Sequence, residues 1–150
     1  IGASESCSTV LDATKTVEID SSSPVDYALP TAIMRYDLNV VNTGQLVDAA
    51  TIVLTDVFPP DVSLMVAGPN VFDLDDGTHA SGLTLPYGGP SDFSDGVEFS
   101  TDGVTFNSYA PSSPLDTNVT HIRFRPVGAL NPNDAGDMPS FTIRIFGVIP

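Results

Sequence analysis

Thirteen prolines and twelve glycines are spread so evenly along this chain that no window of ten residues reads as an amphipathic helix. Proline removes an amide donor and clashes with the preceding helical turn, and glycine loosens the backbone, so only short extended segments survive between them. Those segments alternate with the period of two that marks a strand with one buried face. In residues 32–40, Ala32, Met34, Tyr36, Leu38 and Val40 share a face, and Asn42-Thr43-Gly44 follows as a turn. Residues 51–57 continue in the same style until Phe58-Pro59-Pro60 stops them, and 62–66 form another short strand. Residues 120–126 place Ile122 and Phe124 inward and His121, Arg123 and Arg125 outward. In the last segment Phe141, Ile143 and Ile145 face inward, which leaves Phe146 and Val148 on the side of Thr142 and Arg144. Asp102-Gly103, inside residues 97–106, predicts a two-residue hairpin turn that sets Phe99 opposite Phe106. Residues 14–19, 71–74 and 83–87 are further strand candidates. Eight to ten short strands with turn-rich connections predict an all-β, Greek-key β-sandwich with no significant helix.

At 150 residues the chain has the size of one domain. We place that domain at residues 14–150, with an N-terminal extension at 1–13 and an acidic loop insertion at about 74–96. An apolar content of 41% against 16% charged residues is enough to build a core, so disorder is not expected despite the acidity. The formal net charge is −14, with Lys15 the single lysine. Such a field repels phosphate backbones and anionic lipid, which excludes nucleic acid as a partner. No run approaches the roughly 18 to 20 apolar residues that cross a bilayer, so membrane insertion is not expected either. Ile1 followed by Gly2, Ala3 and Ser4 matches what signal-peptide removal leaves, and points to an extracellular or cell-surface location. Cys7, the only cysteine, has no partner for an internal disulfide; it is a buried filler or an intermolecular link.

Three elements of the first 70 residues resemble a bacterial surface-protein repeat, the domain of unknown function type eleven. They are Lys15-Thr16-Val17; the alternating block Tyr36, Leu38, Val40 closed by Asn42-Thr43-Gly44; and Thr55-Asp56 with Phe58-Pro59-Pro60. The resemblance implies an immunoglobulin-like sandwich strung along exported proteins, and it implies no catalysis. In these positions the alternation fills a core, Gly44 makes a turn, and Asp56 is expected to bond nearby backbone. After Ala67 the chain departs from the repeat and rejoins it at the Phe141-Thr142-Ile143 strand.

Catalytic chemistry has little to work with. His79 lies in a loop and His121 on the outward face of a strand, neither beside a recognisable nucleophile, and the many Asp residues fall in turns, so we expect no enzyme. Asp73, Asp75 and Asp76, in Asp73-Leu74-Asp75-Asp76-Gly77, supply hard oxygens on a tight turn and form a candidate Ca²⁺ site; the same residues serve equally as a solvated acidic turn. Tyr87 and Tyr109 either line a shallow glycan site or plug the ends of the sandwich. Two functions follow. The first is a structural subunit of an extracellular filament or surface assembly, its copies joined head-to-tail by strand addition through Val10, Leu11, Phe146, Val148 and Ile149. The second is a monomeric adhesive module that binds glycan or protein through its loops.

Overall fold

The computed structural model describes residues 10–150. They form β1 (Leu11–Ile19), β2 (Ile33–Asn42), β3 (Leu54–Val57), β4 (Ser63–Met65), β5 (Leu74–Asp76), β6 (Val97–Ser100), β7 (Leu115–Asp116), β8 (His121–Phe124) and β9 (Ser140–Val148), and among the described residues there is no helix. Two antiparallel sheets pack face to face as a β-sandwich. The larger runs β1-β2-β9-β4-β7, with β5 also paired to β9; the smaller runs β3-β8-β6.

Strand β9 enters the sheet last in sequence yet occupies its middle. It pairs with β2 along its whole length, while β5 (at Phe141 to Ile143) and β4 (at Gly147 and Val148) share its other side. That position explains its burial, which alternates strictly from end to end: Phe141, Ile143, Ile145 and Gly147 are buried, and Thr142, Arg144, Phe146 and Val148 are half-buried. Gly147 suits this close approach, because a Cβ would lie 2.4 Å from Val62 Cγ1 and 3.0 Å from the Phe58 ring and would force those side chains to shift.

The core between the sheets draws on the expected inward faces. Tyr36 and Val40 of β2, Ile122 and Phe124 of β8, and Phe141, Ile143 and Ile145 of β9 are all buried. Phe72 stands at its centre, with Tyr87, Phe99 and Phe124 packed edge-on or tilted at centroid distances of 4.9 to 6.0 Å. Phe72 holds φ = +57°, a conformation costly for a bulky residue, and its 1% exposure shows what holds it: the ring is enclosed on all sides.

Three local expectations need correction. The Asp102-Gly103 hairpin does not form; β6 pairs with β8, so Phe99 faces Ile122, and the chain turns away after Ser100. Asp102 is the cause. Its carboxylate accepts from the Val104 and Thr105 amides at 2.9 and 2.7 Å, and the Ser100 hydroxyl accepts from the Gly103 amide, so these donors are spent locally and no returning ladder can claim them. Phe106 instead packs under the Arg123 guanidinium at 4.1 Å. The second correction concerns the acidic insertion: Leu74–Asp76 is strand β5 on β9, and the irregular connection begins after it. Third, the first strand starts at Leu11, so residues 11–13 continue directly into 14–19 and pair with Asn42, Val41 and Val40 of the same chain. Residues 1–9 of the expected N-terminal extension, with Cys7, lie outside the described residues.

Candidate functional site

Among the described residues, the β1 side of this sandwich is left uncovered. The larger sheet extends one strand further than the smaller one covers. By register, Leu11, Ala13, Lys15, Val17 and Ile19 lie on the core face of the sheet with Tyr36, Leu38 and Val40, yet all of β1 except Ile19 is exposed, Val17 at 56%. Opposite them stands β3, the end strand of the smaller sheet. Between the two end strands lies a groove of about 230 Å³, lined by Ala13, Lys15, Leu38, Val40, Leu54 and Asp56.

Lys15 bridges this gap. Its ammonium sits 2.8 and 2.9 Å from the two carboxylate oxygens of Asp56, donates to the Val57 carbonyl at 3.0 Å, and lies 5.2 Å from the centre of the Tyr36 ring. Asp56 is 6% exposed, and burial raises its pKa, against which Lys15 acts to hold the carboxylate charged. Asp56 was expected to bond nearby backbone; its partner is instead a side chain 41 residues away on the other sheet. The expectation failed because an Asp that ends a strand normally serves its own turn, whereas here the strand's alternation turns it inward. Lys15-Thr16-Val17 and Thr55-Asp56 were both noted in the sequence, but nothing along the chain pairs them.

The residues expected at a contact between two copies lie at different places within one chain. Leu11 lies beside Asn42 at one end of β2, and Val148 lies beside Ile33 at the other. Val10 and Leu11 are exposed at the start of β1. Phe146 lies on the outer face of the sheet, where it helps to line a second groove of about 540 Å³ with Ile33, Met65 and Val71. Ile149 is tied into its own chain, its amide bonded to Ala32 and its carbonyl accepting from Thr31. The rim of that second groove carries Arg35 and Arg144, but both are neutralised: Arg35 by Glu18 and a two-pronged contact with Asp37, Arg144 by Asp75 at 2.6 Å.

The three candidate calcium ligands diverge. Asp75 turns to Arg144, Asp76 accepts from the Ser81 amide and hydroxyl, and Asp73 contributes its backbone carbonyl to the Arg144 amide. Among the described residues no three His, Cys, Asp or Glu side chains converge as a metal site would require. A strand throws successive side chains to opposite faces, which is why Asp75 and Asp76 part company. Tyr87 and Tyr109 are both half-buried: Tyr87 packs on Phe72 and donates to the Val66 carbonyl at 2.7 Å, and Tyr109 donates to Asp116 at 2.8 Å.

Two polar residues that the sequence did not single out as buried organise the loops around this framework. Asn42 is fully buried; its amide nitrogen donates to the carbonyls of Gln45 and Asn131, and its oxygen accepts from the Gly44 amide. Asp116 is 2% exposed and accepts from Tyr109, Ser112, Asn118 and Val119. Burial alone would raise its pKa, but these four donors hold it below the ordinary carboxylate range. No protein-family model, curated protein or solved structure matches this chain.

Proposed function

We propose that this protein is a structural subunit of an extracellular filament or surface assembly, its copies joined by strand addition at an open sheet edge. The observation that carries this reading is β1: nine residues long, continuous in register with β2, without proline, and exposed along almost its whole length. Natural monomers blunt such an edge with bulges, proline or a covering loop, because it templates pairing with another chain. Here the only lysine of the strand is turned inward to Asp56 rather than outward as a guard. The resemblance of residues 15–60 to exported surface repeats supports an immunoglobulin-like, secreted origin and the same structural role. Electron microscopy of the purified protein, with light scattering across a concentration series, tests the reading. Concentration-dependent oligomers or fibres are expected, and a strictly monomeric protein at high concentration would refute it.

A second reading, an adhesive module for glycan or protein, is favoured by the groove of about 540 Å³ beside Phe146, which combines an apolar floor with a rim of paired guanidinium and carboxylate groups. It predicts a saturable ligand for a monomer, measurable by calorimetry against a glycan panel.

A further inference from the structure

We propose that β1 is a self-complementary edge along which two copies of this chain pair antiparallel, in the register that sets Thr14 opposite Thr14 of the second copy. The inference rests on the reading of the protein as an assembly subunit, and it specifies the contact.

Backbone direction restricts the pairing first. The Val10 carbonyl accepts from the Thr43 amide, and the Asp20 amide donates to the Ile33 carbonyl. The amide and carbonyl of a strand residue point the same way and alternate along the chain. Even-numbered residues of β1 therefore bond β2, and Leu11, Ala13, Lys15, Val17 and Ile19 direct their backbone groups to the outer edge. Among the described residues no strand lies beyond that edge. A second β1 must join its own odd-numbered residues to these, and only a few registers do so over most of the strand.

Side chains then choose between them. Centring the pair on Lys15 places two Lys15 side chains opposite each other and sets Asp12 against Glu18, a like-charge opposition at each position. Centring on Ala13 sets Leu11 against Lys15 and carries Val17 past the start of the partner strand. Centring on Thr14 has neither fault. It sets Leu11 against Val17, Ala13 against Lys15 and Asp12 against Thr16, so no like charges face each other. Leu11 and Val17, two of the large apolar side chains that the monomer leaves in water, cover one another across the new ladder. Lys15 remains turned to Asp56, and only its backbone takes part. The contact is isologous and closes at two copies, so a longer polymer would need a further surface.

Val17 provides a clean probe, because its amide faces outward and proline there removes no bond to β2. With Cys7 replaced by Ser, Thr14→Cys should form an intermolecular disulfide under mild oxidation, since opposed residues at a non-hydrogen-bonded site of an antiparallel pair lie about 4.5 Å apart at Cα. Thr16→Cys, which would face Asp12, should not. Val17→Pro should abolish the dimer in sedimentation while leaving the circular dichroism spectrum and melting intact. Bridging by Thr16→Cys instead of Thr14→Cys, or a dimer that survives a folded Val17→Pro, would overturn the register. Polymers in the microscope without the Thr14 cross-link would overturn this contact and leave the assembly reading standing; monomers throughout would end both.

Discussion

At the scale of single residues, stability hangs on charged groups whose partners lie far off in sequence. Replacing Lys15 with Ala leaves Asp56 nearly buried and unpaired, and we expect a loss of about 1–3 kcal/mol in urea unfolding, less than for a fully buried pair because Lys15 is partly in solvent. Lys15→Ala with Asp56→Asn should recover part of it, which a double-mutant cycle would read directly. Glu98 gives a pH signature. Burial alone would raise its pKa, but hydrogen bonds and charge from Arg123 and Arg125 prevail and hold it below its ordinary value of 4.5. The folded state therefore binds this proton less readily than the unfolded chain. Its contribution is fully present above about pH 4.5 and is lost as pH falls through the lower folded value. Asp116 acts in the same direction. Asp56, whose pKa is raised, acts in the opposite one, favouring the protonated folded form as pH falls. Asp20, Asp92 and Asp102 are lowered as well and Asp95 is raised, so five carboxylates stand against two; the melting temperature should drop below about pH 4.5, and Glu98→Gln should flatten that limb of the curve.

At the scale of elements, side-chain capture of backbone donors decides where strands end. The hairpin expected at Asp102-Gly103 is the clearest case. Asp-Gly favours a tight hairpin turn, but Ser100 and Asp102 together bond the amides of Gly103, Val104 and Thr105 and send the chain elsewhere. Asp102→Ala should release the Val104 and Thr105 amides and speed hydrogen exchange at both without disturbing β6 on β8. Phe72 connects element to core: it is a buried aromatic in a left-handed backbone, and Phe72→Ala should cost about 3–5 kcal/mol by leaving a cavity between Tyr87, Phe99 and Phe124.

At the scale of the whole molecule, the two sheets are unequal, and their mismatch exposes the core face of β1. Association along that edge brings together two bodies of net charge −14. Long-range repulsion should therefore oppose it at low ionic strength. Sedimentation velocity should show the self-association constant rising several-fold between about 20 and 300 mM salt, as screening shortens the reach of that repulsion to less than the molecular diameter. A contact dominated by ion pairs would show the reverse dependence.

The alternation of Tyr36, Val40, Ile122, Phe124, Phe141, Ile143 and Ile145, together with the spread of proline and glycine, was enough to establish an all-β sandwich and most of its core, because a period of two is a local property that each strand carries alone. The partners were not local. That Lys15 meets Asp56, that Asp75 pairs with Arg144, that β6 chooses β8, and that Leu11 and Val148 lie at opposite ends of β2 are consequences of which strands become neighbours. Pairing is settled by the summed fit of whole faces and by competition for backbone donors, and a sequence pattern records which face a residue takes but not what lies across from it. The β1 edge belongs to the same class: the sequence by itself specified a strand there, and only the packing of a larger sheet on a smaller one left it uncovered among the described residues.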